Sequence, residues 1–237
     1  LTSNDLMSYY LDMSEPIIRV IDVAYPIFQA PNLDEMETYF INFGMSTAVR
    51  TDSALYMRGT DAHHHVHVTR LGPPAFLGLG FYATLSDLQI LSKHSGVAVE
   101  ESTEPGGGYV VHLTDPDGRI VDVLADQIPI EALPLRTHAP HNNGETRQRF
   151  NTLQRVPLGA SQVKRFGHSA IKTTSLATIA NWYSSTLGLL ISDDVYVESP
   201  DAPMGRFMRC DRGTIATDHH SLLVLETGEV RLGHCAW

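Results

Sequence analysis

The hydrophobic and polar positions of the chain form a pattern that restarts. Residues 17–28 are rich in Ile, Val and Tyr and predict a β-strand. Asn32 then offers an N-cap, with Glu35 three residues on as its capping-box partner. Leu33, Met36, Phe40 and Phe43 follow at helical spacing, and Gly44 supplies the stop. Strands are expected at 47–51, 54–58 and 64–70, so the order is β-α-β-β-β. The same order then repeats. A strand at 76–83 leads to a helix capped by Ser86 and carrying Leu88, Ile90 and Leu91. Strands at 97–101, 108–113 and 120–124 follow, the last pair joined by the turn Asp115-Pro-Asp-Gly118.

Residues 127–162 break the pattern. Pro129, Pro134, Pro140 and Pro157 interrupt a polar stretch that reads as a linker, with a helix expected near 145–153. A third copy starts at Val163. Leu176, Ile179, Tyr183 and Leu187 share one helix face, Gly188 ends it, and strands are expected at 190–197, 206–210 and 220–225. Residues 231–237 read as the first strand of a fourth copy. The expected organisation is an N-terminal arm at 1–15, a first domain at 16–126, the linker, and a second domain at 163–237 that stops short. The class is α+β, built of tandem βαβββ modules. The first residue is Leu, and Trp237 closes an apolar run with no cap or polar tail, so a fragment is expected.

Matches between the copies support this register. Leu33 corresponds to Leu176, and Phe43-Gly44-Met45 to Leu187-Gly188-Leu189. Leu55-Tyr-Met-Arg58 corresponds to Arg206-Phe-Met-Arg209, and His64-His65 to His219-His220. The offset grows from 143 to 155 across these matches, which places the insertions in loops at 198–205 and 213–217.

Composition narrows the class. At 237 residues with 43% hydrophobic and 19% charged positions, the chain can bury a sizeable core. A formal net charge of −10 and the lack of a Lys/Arg run argue against nucleic-acid and anionic-membrane partners. No apolar run approaches the ~18 residues of a transmembrane helix, and no secretory signal pattern opens the sequence. Cys210 and Cys235 are the two cysteines, too few for a disulfide framework, so a reduced cytoplasmic setting is expected.

The candidate chemistry lies in two similar stretches, Arg165-Phe-Gly-His168-Ser-Ala-Ile171 and Arg231-Leu-Gly-His234-Cys-Ala-Trp237. Side chains alternate along a strand, so each Gly-His step can aim its imidazole at one concave face. In the first copy Tyr25 stands for His168, and Leu79 or Phe81 for His234, depending on the gap; Asp122 sits where a third ligand would fall. Only the second copy therefore carries the imidazole pair. The cluster His63-His64-His65-Val66-His67, with 63, 65 and 67 on one strand face, lacks such partners and reads as structural. Asp193-Asp194 reads as a strand start, Cys210 and Cys235 lack zinc-motif spacing, and Gly106-Gly107-Gly108 lies between strands and forms no phosphate cradle.

The doubled modules, the Asp115-Pro-Asp-Gly118 turn and the His168 and His234 strands resemble the vicinal oxygen chelate superfamily. The stretch Met208-Arg-Cys-Asp, then Asp218-His-His-Ser-Leu-Leu-Val-Leu225 and Leu232-Gly-His234, resembles the type I extradiol ring-cleavage dioxygenases within it. The resemblance covers about 220 residues and implies Fe(II) held by two His and one carboxylate, with Mn(II) able to take the same place. It implies His168 and His234 as the imidazole ligands, the carboxylate falling on a strand absent from this chain. His220 matches the acid–base residue, whose ordinary pKa near ~6.5 suits moving a phenol proton; His219, facing the other way on that strand, supports or packs beside it. The implied partners are a small aromatic vicinal diol and O2, and the implied assembly is a homo-oligomer. Two alternatives stay open: another metal-dependent isomerase or lyase of the superfamily, and a binding protein of the bleomycin-resistance type. The His-His strand argues against the isomerase or lyase, whose reactions do not need that acid–base residue.

Overall fold

The computed structural model describes residues 15–136, 140–151, 155 and 158–237. The expected N-terminal arm lies outside the described residues except at Glu15.

The first unit forms one eight-stranded sheet. Its strands are β1 (Asp22–Ala30), β2 (Ser46–Arg50), β3 (Ala54–Arg58), β4 (His67–Leu71), β5 (Ala75–Tyr82), β6 (Glu100–Glu101), β7 (Tyr109–Thr114) and β8 (Ile120–Ala125). They lie in the order β2-β3-β4-β1-β5-β8-β7-β6, so the two copies meet where β1 pairs antiparallel with β5. The second unit forms a five-stranded sheet from β9 (His168–Thr173), β10 (Leu189–Val195), β11 (Gly205–Cys210), β12 (Leu222–Glu226) and β13 (Arg231–Ala236). Its order, β10-β11-β12-β9-β13, reproduces the first five strands of the other sheet, with β13 in the place of β5.

The helices follow their sequence signals closely. Asn32 caps α1 (Leu33–Phe43) by accepting from the Asp34 and Glu35 amides, and Gly44 ends it. In α3 (Leu176–Leu187), Leu176, Ile179, Tyr183 and Leu187 are buried as their spacing predicts. Each such side chain contributes about 1.5–3 kcal/mol by leaving water. The second helix, α2 (Leu85–Ser95), is capped by Thr84 and not by Ser86. Thr84 and Asp87 form a reciprocal capping box there, which Ser86, already the second residue of the helix, cannot make.

Four strand expectations shift. Ile17, Ile18 and Val20 are extended, but their amides donate to the carbonyls of Ser185, Thr186 and Leu187, so β1 starts only at Asp22. The strand expected at 97–101 shrinks to Glu100–Glu101. β4 starts at His67 and β12 at Leu222, each a few residues later than the hydrophobic pattern suggests. The helix expected at 145–153 does not form over its described part; an isolated bridge joins Asn142 and Arg147 instead.

One contiguous apolar core runs through both units, from Val23, Leu79 and Phe81 to Ile171, Tyr183 and Val224. Polar contacts reinforce that junction. Buried Arg119, in the turn before β8, pairs with Asp115 at 2.9 Å and donates to the Lys172 carbonyl on β9. The Tyr183 hydroxyl donates to Asp115 at 3.3 Å, and the Trp237 indole to the Val66 carbonyl at 3.0 Å. The Asp115-Pro-Asp-Gly118 turn thus also anchors one unit to the other.

Candidate metal centre

His168 opens β9, and His234 lies on the antiparallel neighbour β13. Residues opposite each other in such a pair share a face. His234 stands opposite Ala170, two residues from His168 and so on the same face. A bulge at Gly233 makes this happen: Leu232 pairs with buried Ile171, and the pairing then skips to His234. Without the extra residue His234 would turn to the core side. The two Nε2 atoms converge to 3.1 Å, with the rings edge to face.

His219 and His220 reach the same place from the loop that enters β12. Because β12 runs parallel to β9 with Leu222 beside Ser169, His220 arrives against His168, ring centroids 4.2 Å apart. Phe207 on β11 supports both rings of the pair, at 5.3 Å from His219 and 4.8 Å from His220. The His219 and His220 Nδ1 atoms stand 3.2 Å apart. The expectation that they alternate along a strand is corrected: both precede the ladder, and they point as the loop turns. Burial, then the neighbouring His234, lowers the pKa of His168. Burial, then His168, His219 and His234, pushes His220 down to about 4.

The sequence reading did not single out Arg165 and Asp218 as part of this site. The Arg165 guanidinium donates to Asp218, directly before His219, and lies 3.8 Å from Asp22 on β1. One cation thereby ties the loop that bears His220 to the segment leading into His168. A basic residue in both Gly-His stretches was the available signal.

Other candidates separate from the site. Asp194 pairs with Arg206 on the adjacent strand at 3.1 Å. Cys210 and Cys235 are free thiols pushed up to about 12 by burial. His63, His65 and His67 do not share a face, because the strand begins only at His67. His63 is exposed and stacks on Tyr82, His65 lies between Tyr25 and Tyr56, and His67 packs on Phe40. Register also corrects the first-copy counterpart of His234: Gly78, opposite Ile27, takes that place, and not Leu79 or Phe81. Tyr25 does correspond to His168, and Asp122 is held by His112 at 2.6 Å.

The donor set fits a metal ion. Metal–imidazole bonds of about 2.1 Å at a right angle separate two nitrogens by about 3.0 Å, close to the 3.1 Å between His168 and His234. No set of three His, Cys, Asp or Glu among the described residues stands in ligating geometry.

This architecture is the vicinal oxygen chelate fold of tandem βαβββ modules. Solved structures that share it include the 2,3-dioxygenase LapB from Pseudomonas sp. KL28, with TM-score 0.72 and 16% identity over 92% of this chain and 75% of that one. Homoprotocatechuate 2,3-dioxygenase from Brevibacterium fuscum, in an anaerobic complex with 3,4-dihydroxyphenylacetate, matches with TM-score 0.71 and 14% identity over 94% of this chain and 65% of that one. The Mn(II)-bound glyoxalase from Novosphingobium aromaticivorans matches with TM-score 0.70 and 18% identity over 92% and 65%. The chain therefore spans about two thirds to three quarters of the length of these structures. No protein-family profile and no curated protein sequence matches it. Among the described residues no helix is long and apolar enough to cross a membrane.

Proposed function

We propose that the protein is an extradiol dioxygenase that opens an aromatic vicinal diol with O2, using Fe(II) or, in its place, Mn(II). The observation that carries the reading is the convergence of the His168 and His234 Nε2 atoms at 3.1 Å with the His220 ring against His168. His168 and His234 hold the metal, and the third ligand is a carboxylate that the described residues do not supply. The metal, when bound, supplies a site at which diol and O2 meet and electrons pass between them. His220 takes a phenol proton from the diol and returns a proton later in the cycle. His219 and Phe207 hold the His220 ring, and Arg165 with Asp218 holds the loop behind it.

The likeness to a Mn(II)-bound glyoxalase favours a second reading, a metal-dependent isomerase. An acid–base imidazole beside the metal pair supports the dioxygenase over it. The test is anaerobic loading with Fe(II), addition of a panel of catechols, and admission of oxygen. Oxygen uptake with a yellow ring-fission product is expected from protein carrying the full ligand set. Iron-loaded protein that consumes no oxygen with any catechol would overturn the reading. His220→Phe should keep iron and lose turnover, whereas loss of iron would make His220 a ligand.

A further inference from the structure

The first unit has a cavity of its own where the second has its imidazole cluster. Strand register fixes the correspondence: Met57 pairs with His67 as Met208 pairs with Leu222, so His64 and His65 match His219 and His220. Each pair keeps the same geometry, with Nδ1 atoms 3.2 Å apart. Tyr25, in the place of His168, lies against His65 with ring centroids 4.8 Å apart. Beside Tyr25 opens a cavity of about 290 Å³, at the small end of ligand pockets.

Its charge is one-sided. Glu100, Glu101, Glu104 and Asp122 stand among the lining residues against Arg70 and His112. Arg70 takes up Glu104 at 3.3 Å, with the Tyr56 hydroxyl, and His112 takes up Asp122. Glu100 lies on the same sheet face as Val110 and His112 and has no ion-pair partner among the described residues. A second observation is independent of charge. Tyr25 is 6% exposed and lines the cavity, yet its hydroxyl has no hydrogen-bond partner among the described residues. A phenol oxygen that faces an open cavity with no partner from the chain is free to accept one from a guest there. Burial, Asp122 and Glu104 keep it a neutral phenol, able to accept a hydrogen bond.

We propose that this cavity binds a small organic ammonium ion. Its N–H groups donate to the Glu100 carboxylate and the Tyr25 oxygen, and its short apolar body rests on Val110 and Leu124. The lining offers no imidazole pair like that of His168 and His234, which favours an organic cation over a metal ion. The inference stands apart from the dioxygenase reading and does not depend on it.

Calorimetric titration of the chain with n-butylammonium, n-butanol and butyrate tests it, the three probes having nearly the same shape. Butylammonium should bind at least about tenfold tighter than butanol, because its hydrogen bonds are charge-assisted, and butyrate should not bind. Tyr25→Phe and Glu100→Gln should each weaken butylammonium at least about threefold, whereas Glu229→Gln, on an exposed loop, should not. Glu100 is exposed, so its variant should fold even where that of Tyr25 does not. Equal binding of butanol, no binding of butylammonium, or equal weakening by Glu100→Gln and Glu229→Gln overturns the proposal. The last result would mean attraction to the acidic surface at large.

Discussion

His67 makes the stability of this protein depend on pH in a way that can be calculated. Its ring is wholly buried against Phe40, with centroids 4.0 Å apart, and Nε2 meets the Thr69 hydroxyl at 2.6 Å. Nδ1 has no partner among the described residues, and burial pushes the pKa from 6.5 down to about 3. The fold thus holds the neutral form, while the unfolded chain takes up a proton below pH 6.5. Between these values the unfolded state binds more protons, so stability rises with pH and falls on acidification. From pH 7 to pH 5 the loss is about 2 kcal/mol for His67, taking about 1.4 kcal/mol per pH unit. His65, also pushed down to about 3, adds a similar amount. The variant His67→Leu with Thr69→Val removes both hydrogen-bond partners together, which leaves no stranded polar atom and keeps stability at pH 7 within about 1.5 kcal/mol. Urea unfolding of both proteins at pH 7, 6 and 5, at constant m, gives the difference directly. The variant should lose about 2 kcal/mol less than the wild type over that range. If both fall equally, His67 is not a buried neutral imidazole and the reasoning fails.

Arg119→Met should cost about 3–5 kcal/mol, since it leaves the buried Asp115 carboxylate without its counter-ion and frees the Lys172 carbonyl between the two units; urea melts measure it. The helix-ending glycines give a paired test. Gly96→Ala, with nothing within 4 Å of the new Cβ, should cost about 1 kcal/mol for its left-handed backbone. Gly44→Ala should cost several times that, because its Cβ would stand 2.1 Å from the Ser161 carbonyl oxygen; similar midpoints for the two variants would refute the difference. His168→Ala and His234→Ala should each abolish Co(II) binding to the imidazole pair, seen as loss of the visible band, while His67→Leu leaves it in place.

Much of the fold was legible because its signals are local. The Asn32 cap, the Gly44 and Gly188 stops and the buried stripe of α3 depend on residues a turn apart. Strand limits depend on distant partners. Nothing near Ile17 says that its amide will meet the Ser185 carbonyl and not a sheet neighbour. The same holds for His219 and His220, whose apolar sequel looks like a strand that in fact starts two residues later. The imidazole pair itself could be read from the repeated Gly-His step. Its alignment with the first copy could not, because the connection from β12 to β13 is one residue longer than that from β4 to β5, and only the pairing shows it.

The bulges at Leu77 and Gly233 show what the fold supplies and what it leaves to the side chains. Both units bend the strand beside their opening strand at the same point, so the bulge that turns His234 toward His168 is not peculiar to the unit that has imidazoles. In the first unit that position is Gly78, and a Cβ there would stand 1.9 Å from the Ile120 carbonyl oxygen on β8. The close pairing of β5 with β8 therefore excludes any side chain at the second ligand position, histidine included. Tyr25 and Asp122 keep the remaining geometry of a site without the means to hold a metal through two imidazoles. A cavity lined by a phenol, several carboxylates and a single imidazole is what such an exclusion leaves, and its chemistry favours a cationic organic guest.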